Sequence, residues 1–446
     1  MALATRLDGL PLSRFHWYVM IISGIGWAIN GLNTTIISFV FPLVVTEWGL
    51  TPQEVGMIGS GQFVGMMIGA ATAGGLSDRY GRKTVFQATL ALLCIATLLT
   101  SLAWDYWSLM AIRVIAALGT GGILPVAMTL VSEFSPSRRR GLLIVNLDAF
   151  WTWGTTLAAL VAFLVMTASG WRSTLFWLGI IPLLHVVVLN RALLESPRYL
   201  LGRGRRREAE EVVREVEARC GVVSSRLAGN GVGTEGDVAA KPRVTLGELW
   251  SRQLRKTTIC CWLMNFSMVF GYYGIFLWLP TLLVAAGHDM GRSFEFVLIM
   301  NVAQLPGYYV AAYLVDRVGR RPILMVSYLL YAACAYLLGV SAGPAEILLW
   351  GCLAGFFNSA VFSVVWAYTP ESYPTRLRAT ASGWASGFGR LGGLVAPSAV
   401  GILLGSWSGS YTPIFVMVSG MLLVGAASIT SLGQETKGRS LEDITV

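Results

Sequence analysis

Twelve long apolar runs constrain this chain more than any other feature of its sequence. Each run can cross a bilayer as a helix, which takes roughly 20 apolar residues. Only 13% of the 446 residues are charged, against about 25% in soluble proteins. The runs are 16–45, 53–76, 84–103, 106–132, 142–169, 173–194, 256–286, 293–315, 323–342, 345–370, 379–405 and 411–433. The sequence therefore predicts an all-α membrane protein with twelve transmembrane helices, surrounded by the lipid bilayer.

Two motifs occur once in each half of the chain at the same offset. The stretch 74–83 recurs in degenerate form as 312–321, and the stretch 133–140 recurs as 371–378. Because two separate motifs agree on one offset, the chain is a duplication of one unit, and we predict a 6+6 pseudo-symmetric fold. The predicted parts are an N-terminal six-helix half (1–194), a cytoplasmic linker with a short surface helix (195–255), a C-terminal six-helix half (256–433) and a cytoplasmic tail (434–446).

The basic residues indicate the orientation. They collect in alternate loops, apart from Arg172 and Arg292 in the opposite loops and Arg113 and Arg390 inside the apolar runs. By the positive-inside rule both termini are cytoplasmic. The net charge of +9 is then a consequence of topology and of attraction to anionic lipid headgroups, so no nucleic-acid partner is indicated.

The sequence contains no arrangement typical of an enzyme. Outside the apolar runs there is no combination of nucleophile, base and orienting group, and the six cysteines show no metal-ligand spacing. We expect no catalytic residues, no metal and no cofactor. The Gly- and Ser-rich stretch 221–241 has no apolar period and is predicted to be mobile.

Several motifs resemble those of one transporter superfamily. The stretch 75–83 and its repeat at 316–321 resemble the loop signature of the major facilitator superfamily. The ends of the halves, 195–198 and 435–439, are similar to motifs of the sugar porters, although Gln434 stands where those proteins usually have Pro. The stretches 272–280 and 387–393 are similar to the bacterial niacin (nicotinate) transporter branch, which is related to the organic anion and cation transporters and to synaptic vesicle protein 2. The resemblance implies the major facilitator fold, alternating access and a bacterial inner-membrane location, and we expect a monomer.

The resemblance implies that the duplicated loops form gates. An Asp at a helix end and Arg residues on the following turn can pair across the seam between the halves when the cytoplasmic side is closed. The alternative, that these charges only set topology, explains the Arg residues but not an Asp and a Gly at fixed positions in both halves. The predicted gating residues are Asp78, Arg79, Arg82, Glu133 and Arg140 in the first half and Asp316, Arg317, Arg320, Glu371 and Arg378 in the second.

Arg390 is the first candidate for substrate binding. It lies in the eleventh run, where a charged side chain costs about 2.5–3.5 kcal/mol and needs a partner or a cavity. A planar guanidinium matches a carboxylate bidentately and stays charged, so we predict that Arg390 binds a small organic anion such as nicotinate. In the alternative, backbone carbonyls or an acid on a neighbouring helix satisfy Arg390 permanently.

Asp148, in the fifth run, is the candidate for proton coupling. Desolvation of a carboxylate in a partly dry cavity would let it load and release a proton. Equally, Asp148 could be a structural partner of Arg113. The first run offers only Asn30 and Asn33 where relatives commonly have carboxylates; amides can bind a substrate but cannot exchange protons near neutral pH.

Aromatic and amide residues on the helices that we expect to line the cavity complete the predicted binding site. Phe362 and Trp366 lie on one face of the tenth helix and could stack a flat ring, although packing between helices would also explain each aromatic residue. The remaining members are Trp151, Asn265, Tyr272, Tyr273 and Asn358.

These observations predict a secondary transporter that takes up a small organic anion, with a proton as the candidate coupling ion. Two alternatives stay open: an exporter of organic cations or drugs that uses Asp148, and a sensor that binds a substrate without translocating it and signals through the linker.

Overall fold

The computed structural model describes residues 3–136, 139–221, 246–374, 376–406 and 411–437. Within these ranges the regular structure is helical, with no strand. The helices are α1 (Leu3–Asp8), α2 (Arg14–Trp48), α3 (Pro52–Tyr80), α4 (Arg82–Thr100), α5 (Tyr106–Phe134), α6 (Arg140–Val161), α7 (Thr167–Ala192), α8 (Pro197–Gly202), α9 (Arg206–Arg219), α10 (Leu246–Leu249), α11 (Arg255–Ile275), α12 (Leu279–Ala285), α13 (Met290–Val318), α14 (Arg320–Val340), α15 (Pro344–Glu371), α16 (Arg378–Ser406) and α17 (Thr412–Leu432).

The helices of the fifth and sixth crossings follow each other without a loop, but the backbone between them departs from α-helical geometry. One apolar helical stretch, Arg140–Ala192, has 53 residues, which corresponds to about 80 Å, far more than the roughly 30 Å of a bilayer core. A π-helical segment, Ala162–Met166, ends α6, and Gly170 then adopts φ 78° and ψ 167°. That left-handed φ suits glycine, so the stretch divides into two crossings. The predicted twelve-helix fold is confirmed.

The first compact unit comprises residues 1–34, 64–158 and 172–241. Its membrane helices approach one another closely at glycine residues, as is common in bilayers. At Gly121 of α5, a Cβ atom would lie 2.1 Å from the carbonyl oxygen of Met66 on α3. At Gly154 of α6, it would lie 2.1 Å from the carbonyl oxygen of Ala28 on α2.

Short helices outside the membrane crossings pack against each other in the same unit. The stretch predicted as a linker contains helix α9, whose Val213 and Val216 share an apolar cluster with Leu7 of α1. The Arg6 Nε donates to Glu217 Oε1 over 2.8 Å, and Glu217 is buried. The sequence reasoning missed α1, because six residues are too short for a clear helical period. The stretch predicted to be mobile lies outside the described residues beyond Gly221.

The second compact unit comprises residues 35–63, 159–171 and 242–446. Within it α16 packs tightly on α11, since a Cβ at Gly392 would lie 2.4 Å from the carbonyl oxygen of Phe266. The end of α3 that belongs to this unit also contacts α16: the Ser60 hydroxyl donates to the carbonyl of Leu394 over 2.6 Å. The division into 1–194, 195–255, 256–433 and 434–446 stays a prediction.

Candidate functional site

Arg390 lies on α16 and has no counter-charge among the residues that the structure describes. Its side chain is half-buried, and it makes no hydrogen bond or ion pair to any residue in the described part of the chain. Its guanidinium interacts electrostatically with the Tyr273 hydroxyl. Glycines on either side of it, Gly389 and Gly392, hold α16 against Asn265 and Phe266 of α11. The alternative of a permanent partner for Arg390 therefore finds no support among the described residues.

Aromatic rings of α11, of the turn before α12 and of α15 contact one another, and one of them, Tyr273, lies close to Arg390. The Tyr272 ring lies edge-on to Tyr273 at 4.9 Å between centroids and to Phe362 at 5.7 Å. It is tilted against Phe276 at 5.3 Å. The structure thus brings together three predicted site residues, Tyr272, Tyr273 and Phe362. Trp366 lies one turn further along α15 and is half-buried.

Buried amides lie on α11, α13 and α15. Asn265 donates to the carbonyl of Cys261 over 2.8 Å and to the Thr369 hydroxyl over 3.3 Å. Asn358 is buried, and its Oδ1 has no hydrogen-bond partner among the described residues. The sequence reasoning missed two further buried amides on α13, Asn301 and Gln304. Their spacing of three residues within an apolar run was the signal that could have identified them.

Four predicted site residues, Asn30, Asn33, Asp148 and Trp151, lie in the first unit. Asn30 and Asn33 are fully buried, and their Oδ1 atoms have no hydrogen-bond partner in the described ranges. An Arg113 Nη donates to the Asn33 carbonyl over 3.1 Å. Trp151 packs on Trp27, with 4.8 Å between ring centroids. Asp148 lies one turn before Trp151 on α6 and is half-buried.

The first copy of the duplicated loop is an ion-pair network within the first unit. Arg82 contacts Asp78 at 2.9 Å and Glu133 at 3.5 Å. Glu195 Oε1 accepts hydrogen bonds from the backbone amides of Arg82 and Lys83 at 2.9 and 3.2 Å. We name this last interaction, a glutamate that binds the first amides of a helix, a clasp. It suits a carboxylate because the N-terminus of a helix carries partial positive charge.

The second copy repeats this geometry within the second unit. Arg320 contacts Asp316 at 3.2 Å and Glu371 at 2.9 Å. Glu435 accepts from the backbone amides of Arg320 and Arg321 at 3.0 and 3.1 Å, which is the second clasp. The motif around Glu435 was identified in the sequence, but its contact was not predicted.

Glycine is required at the turn in both copies. Gly81 and Gly319 have φ values of 103° and 118°, a region that strongly favours glycine. A Cβ atom would also lie 2.2 Å from a carboxylate oxygen of Glu195 at the first turn, and 2.7 Å from one of Glu435 at the second. The close approach of the clasp carboxylate thus explains why the duplicated motif retains a glycine.

The other predicted gating residues have local contacts too. The Arg79 guanidinium lies over the Tyr80 ring, and that of Arg317 lies over the Tyr313 ring. Arg140 donates to Asp8 of α1 over 2.7 Å. Arg378 begins α16. The gating role of all ten residues stays a prediction.

The second clasp predicts an acid dependence of stability. Burial alone would raise the pKa of Glu435, but hydrogen bonds from the backbone amides of Lys437, Arg320 and Arg321 outweigh it and lower the pKa. A lowered pKa stabilises the folded state above the ordinary glutamate value of about 4.3, and this contribution is lost as the pH falls below it. In thermal unfolding scans at falling pH, wild type should lose more stability than Glu435→Gln. Equal losses in the two proteins would contradict the assignment.

The helical fold and the duplicated loops define a membrane transporter of the major facilitator superfamily. The profile of the family described as sugar (and other) transporters matches residues 19–446. The chain belongs to this family.

Similar proteins are transporters as well. The niacin transporter NiaP of Acinetobacter baylyi is 43% identical over 100% of both chains. Organic cation/carnitine transporter 7 of Arabidopsis thaliana is 31% identical over 98% of this chain and 95% of its own length. Among solved structures, the inward-open xylose transporter XylE of E. coli superimposes with a TM-score of 0.75 at 19% identity, covering 96% of this chain and 99% of that one. The predicted class, a multi-pass membrane transporter rather than an enzyme, is confirmed.

Proposed function

We propose that this transporter takes up nicotinate or a similar aromatic carboxylate, and that Arg390 binds the carboxylate. The observation that supports this most is a half-buried guanidinium within a membrane crossing with no acid or carbonyl partner among the described residues. Such a charge is costly without a counter-ion, and an anionic substrate supplies one. The full-length similarity to a niacin transporter agrees with this substrate.

The aromatic group beside Arg390 suits a flat ring. Tyr272 and Phe362 present ring edges and faces, and aromatic pairs of this kind contribute about 0.5–1.5 kcal/mol beyond area burial. A carboxylate held by Arg390 would place its attached ring near these side chains. An aliphatic acid of similar size would keep the ion pair and lose the ring contacts.

We assign the remaining features of the mechanism in the same proposal. The protein works as a monomer in the bacterial inner membrane, with both termini in the cytoplasm, by alternating access. The ion pairs around Arg82 and Arg320 act in gating. Asp148 exchanges a coupling proton, since Asn30 and Asn33 cannot.

A ligand panel on purified protein in proteoliposomes tests the function. We expect binding and counterflow of labelled nicotinate, weaker binding of aliphatic monocarboxylates and no binding of quaternary amines. Preference for the amines would favour the cation exporter, and binding without counterflow would favour the sensor. An acid-outside pH gradient across the same vesicles should drive nicotinate accumulation. Equal nicotinate uptake with and without the pH gradient would contradict proton coupling and the role of Asp148 in it.

A further inference from the structure

The buried amides of α13 form a hydrogen-bond relay with a defined direction. Asn301 Nδ2 donates to the backbone carbonyl of Val297 over 2.9 Å, and Gln304 Nε2 donates to Asn301 Oδ1 over 3.0 Å. A backbone carbonyl can only accept, so Asn301 must turn its amino group toward Val297 and its oxygen toward Gln304. Gln304 must then present its amino group to Asn301. The second N–H of this Gln304 amino group takes no part in these two hydrogen bonds.

The leftover donor lies among apolar and aromatic neighbours. Gln304 is buried, and it forms no other hydrogen bond to a residue in the ranges that the structure describes. Next to Gly355 of α15, the position of an added Cβ would be 3.1 Å from Gln304 Cγ and 3.6 Å from a Phe276 ring atom. A buried donor without an acceptor is unfavourable, so the arrangement favours a bound acceptor at this place.

A second buried amide, Asn358, lies on the face of α15 that meets Gln304. Gly355, Asn358 and Phe362 are spaced by three and four residues, which places them on one side of the helix. Gly355 meets Gln304 and Phe276, and Phe362 meets Tyr272. Asn358 therefore sits between these contacts, on the face toward the aromatic rings, and it too is buried with an unpartnered Oδ1 among the described residues.

The second unit thus has two chemically different polar groups, with aromatic rings beside both. Arg390, near Tyr273, is a cation. Gln304 is a neutral hydrogen-bond donor close to Phe276, and the buried Asn358 lies on the same face of α15 as Gly355. A ligand that satisfies both has an anionic group and a neutral acceptor on one flat ring.

We infer that Gln304, held in position by Asn301, donates a hydrogen bond to the ring nitrogen of a heteroaromatic carboxylate, in a site that Asn358 also lines. This inference rests on the proposed function and deepens it: the site distinguishes a pyridine carboxylate from a benzene carboxylate of the same shape. Gln304 is a specificity-determining residue, and Asn301 is a positioning residue.

The ratio of nicotinate to benzoate affinity tests the inference, because benzoate keeps the carboxylate and the ring but lacks the ring nitrogen. Gln304→Leu should lower nicotinate affinity by about 10- to 100-fold, as expected for a lost buried hydrogen bond, and should leave benzoate affinity almost unchanged. Asn301→Leu should lower the same ratio by a smaller factor. Ser419→Ala, which removes a buried hydroxyl that donates to the Ala332 carbonyl in the same unit, is the control and should change neither affinity.

The outcomes separate this inference from the proposed function. A fall in nicotinate affinity alone supports the ring-nitrogen contact. An equal fall for both ligands in Gln304→Leu overturns it and makes the relay structural. No change in either affinity overturns it as well. If the Gln304 variant does not fold, as judged by thermal unfolding in detergent, the Asn301 variant decides on the same ratio. Wild-type protein that binds neither acid overturns the proposed function as well.

Discussion

Arg390→Gln should lower nicotinate affinity by about 100-fold or more and abolish measurable uptake. Glutamine keeps hydrogen-bonding capacity and much of the length but removes the charge, so the substrate carboxylate would enter a membrane site without a counter-ion. Loss of one member of a buried charge pair costs about 2–5 kcal/mol, and every 1.4 kcal/mol is a factor of ten in affinity. Isothermal calorimetry or counterflow with labelled nicotinate measures the effect.

Arg292→Gln is the matched control for Arg390. It removes the same charge near the start of α13, where the Arg292 backbone amide is bound by Asp289, and we expect no change in affinity. The two variants thus separate a specific contact from the effect of net charge. Nicotinate binding by Arg390→Gln at wild-type affinity would contradict the assignment of Arg390.

Gly121→Ala should be among the most destabilising single-methyl changes in the first unit. The added Cβ would lie 2.1 Å from the Met66 carbonyl oxygen and 2.9 Å from the Ala70 amide nitrogen. Backbone atoms of a packed helix cannot move aside like a side chain, so α3 and α5 would have to separate. Overpacking typically costs about 1–3 kcal/mol, and this site should reach the upper end. The midpoint of thermal unfolding in detergent measures the loss.

Gly74→Ala is the control for Gly121→Ala because an added Cβ there meets nothing within 4 Å. It places the same methyl group on a helix of the same unit, where alanine favours the helix over glycine. We expect unchanged or slightly higher stability. Equal unfolding midpoints for Gly121→Ala and wild type would mean that the packing of α3 on α5 is looser than described.

The elements of the fold were predictable because each depends on local sequence. A run of about 20 apolar residues must form a helix in lipid to satisfy its backbone, so the crossings could be located one by one. The break between α6 and α7 was also predictable, because the fifth and sixth apolar runs, 142–169 and 173–194, are separate in the sequence. By contrast, α1 is a short helix that packs on α9 through Arg6 and Glu217, and no local pattern identifies that partner.

The site was predictable in its parts but not in its connections. Arg390, Tyr272 and Phe362 stood out as charged or aromatic residues within apolar runs, and the structure places them on neighbouring helices. Of the glycines near Arg390, however, Gly389 and Gly392 pack against α11, which the sequence could not distinguish from a surface left open for a ligand. The direction of the Asn301–Gln304 relay depends on the Val297 carbonyl. The direction of such a relay can be read only from the three-dimensional structure.

The two clasps also bear on how the chain is assembled during synthesis. Their partners are separated by 113 and 115 residues, yet each clasp closes inside its own compact unit. A nascent chain that has emerged as far as α8 already holds Gly81, Arg82 and Glu195. The first set of crossings can therefore reach its final charge pairing in the membrane while the second set is still being translated.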